Sequence, residues 1–141
     1  LSGSKACRLL PAALIAISVT SAAWASCSPI DDPEALADLE RFKTLVTDGE
    51  FGTAMLPFEI SQSAKTQLVG GLEAVAPNGF EDCTTIKRVR QSDHFISEIF
   101  MTEADGKVLY WAISGQIRRG SFRMINFNYS DRFEDFRELM Y

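Results

Sequence analysis

Few residues in this chain of 141 are placed to move a proton. Asp93, His94, Glu98 and Glu103 are the candidates, and each would need a cavity that shifts its pKa toward neutrality before it could serve as a general acid or base. Glu98 is the strongest, because it interrupts an apolar alternation between Ile96 and Phe100. A carboxylate there points to an isomerase- or dehydratase-like reaction if its face lines a pocket, and to simple solvation if that face is outer. His94 is the only histidine and lies in Ser92-Asp93-His94, a polar stretch that reads as a turn. A turn or surface role is its plainer reading. No catalytic residue is assigned, and Glu98 and His94 stand as weak candidates.

Other chemistries lack their residues. One histidine and scattered carboxylates give no metal-ligand spacing, so no metal and no cofactor are expected. Gly70-Gly71 is an isolated pair rather than a phosphate-cradling loop, and there is no Gly-x-Ser-x-Gly nucleophile elbow. Asn128-Tyr129-Ser130 fits an Asn-glycosylation sequon, a three-residue pattern of little specificity.

The elements that would position these residues follow from hydrophobic period. Asp31-Asp32-Pro33-Glu34 has the composition of a helix start, and Leu36, Leu39, Phe42, Leu45 and Val46 then recur at three- and four-residue steps up to about Thr47, where Asp48-Gly49 stops the pattern. Phe51 to Phe58 predicts a short second helix or turn ended by Pro57. A third helix is expected from about Ser61 to Ala76, with Ala64, Leu68, Leu72 and Val75 on one side. After Pro77-Asn78-Gly79 the period changes to two. Strands are predicted over about 81–90, 95–102, 108–118 and 122–130, with hairpin turns at Ala104-Asp105-Gly106-Lys107 and Arg119-Gly120-Ser121. Helices followed by an antiparallel meander argue for one α+β domain with the helices on one sheet face.

Counting by twos assigns the faces. On the third strand Leu109, Trp111, Ile113 and Ile117 share the apolar side. On the fourth, Ile125, Phe127 and Tyr129 are expected to face the helices, and Phe122, Met124, Asn126 and Asn128 to face away. Tyr110, Phe122 and Met124 then mark the outer face as a ligand or partner surface. The tail from Asp131 to Tyr141 reads as a short helix or a strand extension.

The first 25 residues have the order of a secretory signal. Lys5 and Arg8 precede an apolar run from Leu9 to Val19, and Ala23-Trp24-Ala25 provides small residues for cleavage after Ala25. The run is too short and interrupted to suit a membrane span. Trp24-Ala25-Ser26-Cys27 also resembles a bacterial lipoprotein box, which would leave a membrane-anchored lipoprotein through Cys27 in place of a periplasmic or secreted protein. Cleavage gives a single domain over residues 26–141. It would hold 12 basic against 19 acidic residues, a formal charge of -7 that disfavours nucleic acid as a partner. Cys27 and Cys83 would be the two remaining cysteines, and in an oxidising compartment they are expected to pair.

The run Arg123-Met124-Ile125-Asn126-Phe127-Asn128-Tyr129-Ser130-Asp131 resembles the terminal strand of small exported bacterial proteins of the nuclear-transport-factor-two-like group. The helix ending at Val46, the following Asp48-Gly49-Glu50-Phe51 and the Tyr110-Trp111 pair fit the same group. Phe122 departs from it, standing where the group has Trp. The resemblance implies a cystatin-like α+β fold in which a curved four-stranded antiparallel sheet wraps the N-terminal helices into a cone-shaped cavity, with dimerisation through the sheet. Taken together, these readings point to an exported, non-enzymatic accessory or binding domain of the cell envelope. Its expected partners are a small apolar ligand, a peptide or an envelope protein, with a homodimer through the sheet and no transmembrane span in the mature chain. The alternative is the small isomerase- or dehydratase-like enzyme built on a pocket carboxylate.

Overall fold

The computed structural model describes Cys27 and residues 36–139. The signal sequence, the lipoprotein-box residues before Cys27 and the helix cap expected at Asp31 to Glu34 lie outside the described residues.

Three helices precede four strands: α1 (Ala37–Thr47), α2 (Phe51–Ala54), α3 (Gln62–Val75), β1 (Asp82–Ser92), β2 (Phe95–Ala104), β3 (Lys107–Arg118) and β4 (Ser121–Ser130), closed by a 3-10 helix over Phe133–Leu139. α1 buries Leu39, Phe42 and Val46, the stripe its spacing predicts. It ends where Gly49 takes φ +78°, so that the Gly49 and Glu50 amides turn back to the carbonyls of Val46 and Leu45. The Ser61 hydroxyl accepts from the Ala64 amide at 3.2 Å and starts α3.

Gly79, at φ +82°, brings the chain back beneath α1. A side chain there would run into the Thr47 carbonyl and the Asp48 backbone, so only glycine allows the approach. The next amide, of Phe80, donates to the Thr47 carbonyl at 2.7 Å. Cys27 and Cys83 form a disulfide, with Cα atoms 4.4 Å apart, fixing residue 27 to the start of β1.

The sheet is an antiparallel meander in the order β1-β2-β3-β4. Its two glycine hairpins have consecutive left-handed residues, Asp105-Gly106 and Arg119-Gly120, the backbone of a tight turn whose twist matches the strands. The α+β architecture and the helices-first order are as the sequence predicts. The curved cone of the nuclear-transport-factor-two-like group is not: the sheet is open and flat, with the helices packed against it. The resemblance at β4 therefore does not extend to the fold. A cone needs bends in its central strands. Here β2 and β3 pair without interruption from Phe95 opposite Gln116 to Ala104 opposite Lys107, and the register shifts fall only in the edge strands or their pairing with a neighbour.

The core lies between the helices and one face of this sheet. The Phe42 ring meets those of Phe58, Phe100, Trp111 and Phe127 at centroid distances between 5.8 and 6.5 Å. Trp111 stacks on Phe100 at 5.7 Å and donates its indole N–H to the buried Thr102 hydroxyl at 2.9 Å. Among the described residues no helix is long and apolar enough to cross a membrane.

The faces of β4 differ from the alternation. Phe127 pairs with Ile113 and Tyr129 with Trp111 on the helix side, yet Met124 and Phe122 pair with Gly115 and Ile117 on that same side. A bulge at Ile125 adds one residue and inverts everything before it, leaving Ile125 51% exposed and Phe122 buried. Gly115 makes room for this, since a Cβ there would lie 2.6 Å from the Phe122 ring.

Candidate functional site

Glu98 points into the helix side and is fully enclosed. Its Oε1 accepts from Lys43 Nζ at 2.7 Å and its Oε2 from Arg88 Nε at 2.6 Å. Lys43, itself 1% exposed, also contacts Glu40 Oε1 at 2.9 Å and donates to the Thr85 hydroxyl at 3.0 Å, while Arg88 reaches Glu40 at 3.1 Å. Among the described residues, two cations and two carboxylates thus come together in one cluster of balanced charge between α1, β1 and β2. Both Glu98 oxygens are engaged and no solvent reaches them, so the carboxylate is a structural partner of Lys43 and Arg88 in this geometry. Its side chain is 0% exposed and faces the layer interior, although residue 98 also borders the outer-face trough as part of β2, between Ser97 and Ile99.

His94 sits exposed in the β1–β2 turn beside Asp93, also exposed, and its carbonyl accepts from the Ile117 amide at 2.9 Å. With Gln116, Arg118 and Arg119 it borders a shallow surface depression, with no carboxylate among the lining residues to orient an imidazole. Glu103 is half-buried near the other end of the sheet, opposite Asp82 and Val108. The acid–base candidates are therefore dispersed.

The three residues expected to share an outer surface are also separated. Tyr110 is on the outer face, where its ring meets Phe133 of the 3-10 helix edge-on at 5.4 Å. Phe122 and Met124 lie on the helix side, for the reason the bulge supplies. They border a groove of about 510 Å³ between α1, the α2–α3 connection and β4, whose walls include Phe42, Leu45, Leu56 and Pro57.

What the outer face does form is a trough of about 520 Å³. Two cross-strand rows make its floor: Val89, Ser97, Ser114 and Asn126, and next to it Lys87, Ile99, Ala112 and Asn128. Short side chains on the two central strands, Ser97, Ala112 and Ser114, provide the depth. The 3-10 helix walls one end with the buried Phe136 and the exposed Leu139 and Asp135. The Asp135 carboxyl is held below its ordinary value of 3.8 by a hydrogen bond from the Ser130 hydroxyl at 2.6 Å, with the Arg132 charge adding to the effect. The floor is therefore mixed, with hydroxyls and amides set among Val89, Ile99 and Ala112 and a carboxylate at the wall. The trough was partly legible, since the short residues Ser97, Ala112 and Ser114 fall at outward positions of the two central strands. The wall was not, because nothing local in residues 131–141 says that Phe136 folds back over the sheet.

The chain finds no match among family models, curated proteins or solved structures. The trough's reading therefore rests on its own chemistry.

Proposed function

We propose that the protein is an exported, non-enzymatic binding domain of the cell envelope that holds a short extended peptide segment in the outer-face trough. The observation that carries this reading is the lining. Asn126, Asn128, Ser97, Ser114 and Gln91 offer amide and hydroxyl groups of the kind that pair with peptide N–H and C=O groups, and Val89, Ile99 and Leu139 offer apolar contact for side chains. The volume falls within the range of about 300–1,000 Å³ usual for ligand sites. A wholly apolar ligand fits less well, because it would strip water from these polar groups without replacing their hydrogen bonds.

Export is supported by the Cys27–Cys83 disulfide, a bond that persists in oxidising compartments, together with the charged, apolar and small-residue order of residues 5–25. Cys27 spends its thiol on that bond, which favours a periplasmic or secreted protein over a lipid anchor at the same sulfur. The enclosure of Glu98 favours binding over catalysis. A second copy of the chain docking through the sheet would not compete for the trough if it used a sheet edge.

The test is an NMR titration of ¹⁵N-labelled protein with a mixed library of blocked tripeptides. Backbone amide shifts are expected at Ser97, Ala112, Ser114, Asn126 and Asn128, and Ala112→Trp, which fills the floor, should abolish them. Absence of shifts at millimolar peptide, or shifts that survive Ala112→Trp, would overturn the assignment.

A further inference from the structure

The two edge strands of the sheet, β1 and β4, are built differently. β1 has two register irregularities, at Thr85/Lys87 and Arg90/Ser92, and carries Lys87, Arg88 and Arg90. Bulges and charges of this kind keep an edge from pairing with another chain. β4 has one bulge, and from Met124 to Ser130 it contains no charged residue, no glycine and no proline. Among the described residues no element other than β3 forms a backbone–backbone hydrogen bond to Arg123 through Ser130. Ile125, 51% exposed, and Leu56, 69% exposed, lie along this side of the molecule, next to grooves that share Pro57, Arg123 and Met124.

The sequence of this edge is complementary to itself. When a second β4 runs antiparallel about a two-fold axis at Phe127, Asn126 of one copy stands opposite Asn128 of the other, on the same face. The bulge at Ile125 then brings Arg123 to the Ser130–Asp131 end of the second strand. Each end so acquires an Arg–Asp pair and no like charges oppose. Arg123 is available for this: its side chain is 67% exposed, and its partner Glu59 is 3.6 Å away and 91% exposed. Asp131 is exposed as well.

We propose that the protein forms a two-fold homodimer by antiparallel pairing of β4 with β4 of a second copy, giving one continuous eight-stranded sheet. The proposal rests on the sheet-edge reading above and not on the trough holding a ligand. Asn126 and Asn128 belong to both features, so dimerisation sets the two troughs side by side across the new interface.

Sedimentation of the purified full chain from one to several hundred micromolar tests it. A concentration-dependent dimer is expected, weakened at least about tenfold by Ile125→Lys, which puts a charge two residues from the axis on an edge that pairing would remove from water. Arg123→Asp and Asp131→Arg should each weaken the dimer, and the double exchange should restore it, a rescue that a folding defect would not produce. Trp111 fluorescence checks that each variant is folded. A monomer throughout that range overturns the proposal, as does a dimer indifferent to Ile125→Lys or a double exchange no tighter than the single ones. Peptide-induced shifts in the trough of a strictly monomeric protein would leave the binding reading standing and the dimer refuted.

Discussion

Replacing Lys43 by Met tests the charge cluster directly. The side chains are of similar length, so the helix keeps its packing while the buried cluster loses one of its two positive charges. Glu98 loses a partner at 2.7 Å and the buried Thr85 hydroxyl loses its donor, while Arg88 remains on the other carboxylate oxygen at 2.6 Å. The attraction removed is about 6 kcal/mol at that separation and an effective dielectric constant of about 20. Much of it is offset by the water Lys43 regains on unfolding. The net loss expected on deleting one partner of a buried pair is about 3 kcal/mol, at the low end of the usual range because Arg88 still compensates Glu98. With a urea m-value of about 1–1.5 kcal/mol/M, the unfolding midpoint should fall by about 2–3 M. Trp111 is the only tryptophan among the described residues, sits in the core next to this cluster's strands, and reports the transition by fluorescence. Glu98→Leu alone should cost at least as much, since it leaves two cations facing the half-exposed Glu40. The double variant Lys43→Met/Glu98→Leu keeps the Arg88–Glu40 pair and restores the balance of charge, so its loss should be smaller than the sum of the single losses by about 1.5–3 kcal/mol. A Lys43→Met midpoint within about 0.5 M of the parent, or single losses that simply add, would refute the reasoning.

Four further outcomes follow from features of the fold. Gly79→Ala should destabilise by at least about 2 kcal/mol in thermal or urea unfolding, through a left-handed backbone and collision with the Thr47 carbonyl. Gly70→Ala, in the middle of α3 with open space around it, should instead stabilise by about 0.5–1 kcal/mol. Replacing Cys27 and Cys83 together by Ala should lower stability by about 2–4 kcal/mol, read against the reduced parent as a control, because the bond closes a long loop. Ser130→Ala should raise the Asp135 pKa toward 3.8 in a ¹³C carboxyl titration. Because that pKa is depressed in the folded protein, the interaction's contribution is present above the unfolded-chain value and disappears as pH falls through the folded value; an unchanged titration in the variant would assign the shift to Arg132 instead.

Much of the scaffold can be read from local pattern. Asp48-Gly49 ends α1, Ser61 starts α3, and Asp105-Gly106 and Arg119-Gly120 turn the hairpins, because caps and tight turns are decided by a few neighbouring residues. The cluster is harder. Lys43 follows Phe42 on α1 and looks like a polar-side residue, yet it is three residues from Glu40 and four from Leu39, and it turns inward because Glu98 and Thr85 wait there from 55 and 42 positions away. The local sign was Glu98 interrupting the apolar register between Ile96 and Phe100. It announced an unusual carboxylate without distinguishing a catalytic one from a paired one. The bulge at Ile125 shows a second limit: period-two counting has no marker for an inserted residue, so one bulge moved Phe122 and Met124 to the opposite face. The cone was misread for a related reason, since sheet curvature depends on where the central strands bend and not on the composition of the last one.

The charge cluster also constrains how this sequence can drift. Four positions on three elements are joined so that a change at 43, 88 or 98 leaves an imbalance in a place water barely reaches. Tolerated changes should therefore arrive as compensated pairs, with an aliphatic residue at 98 accompanied by loss of the cation at 43. In a lineage descended from this chain, residues 40, 43, 88 and 98 would be inherited as a unit, and α1 would keep its seat on the sheet only in the lines that exchanged them together.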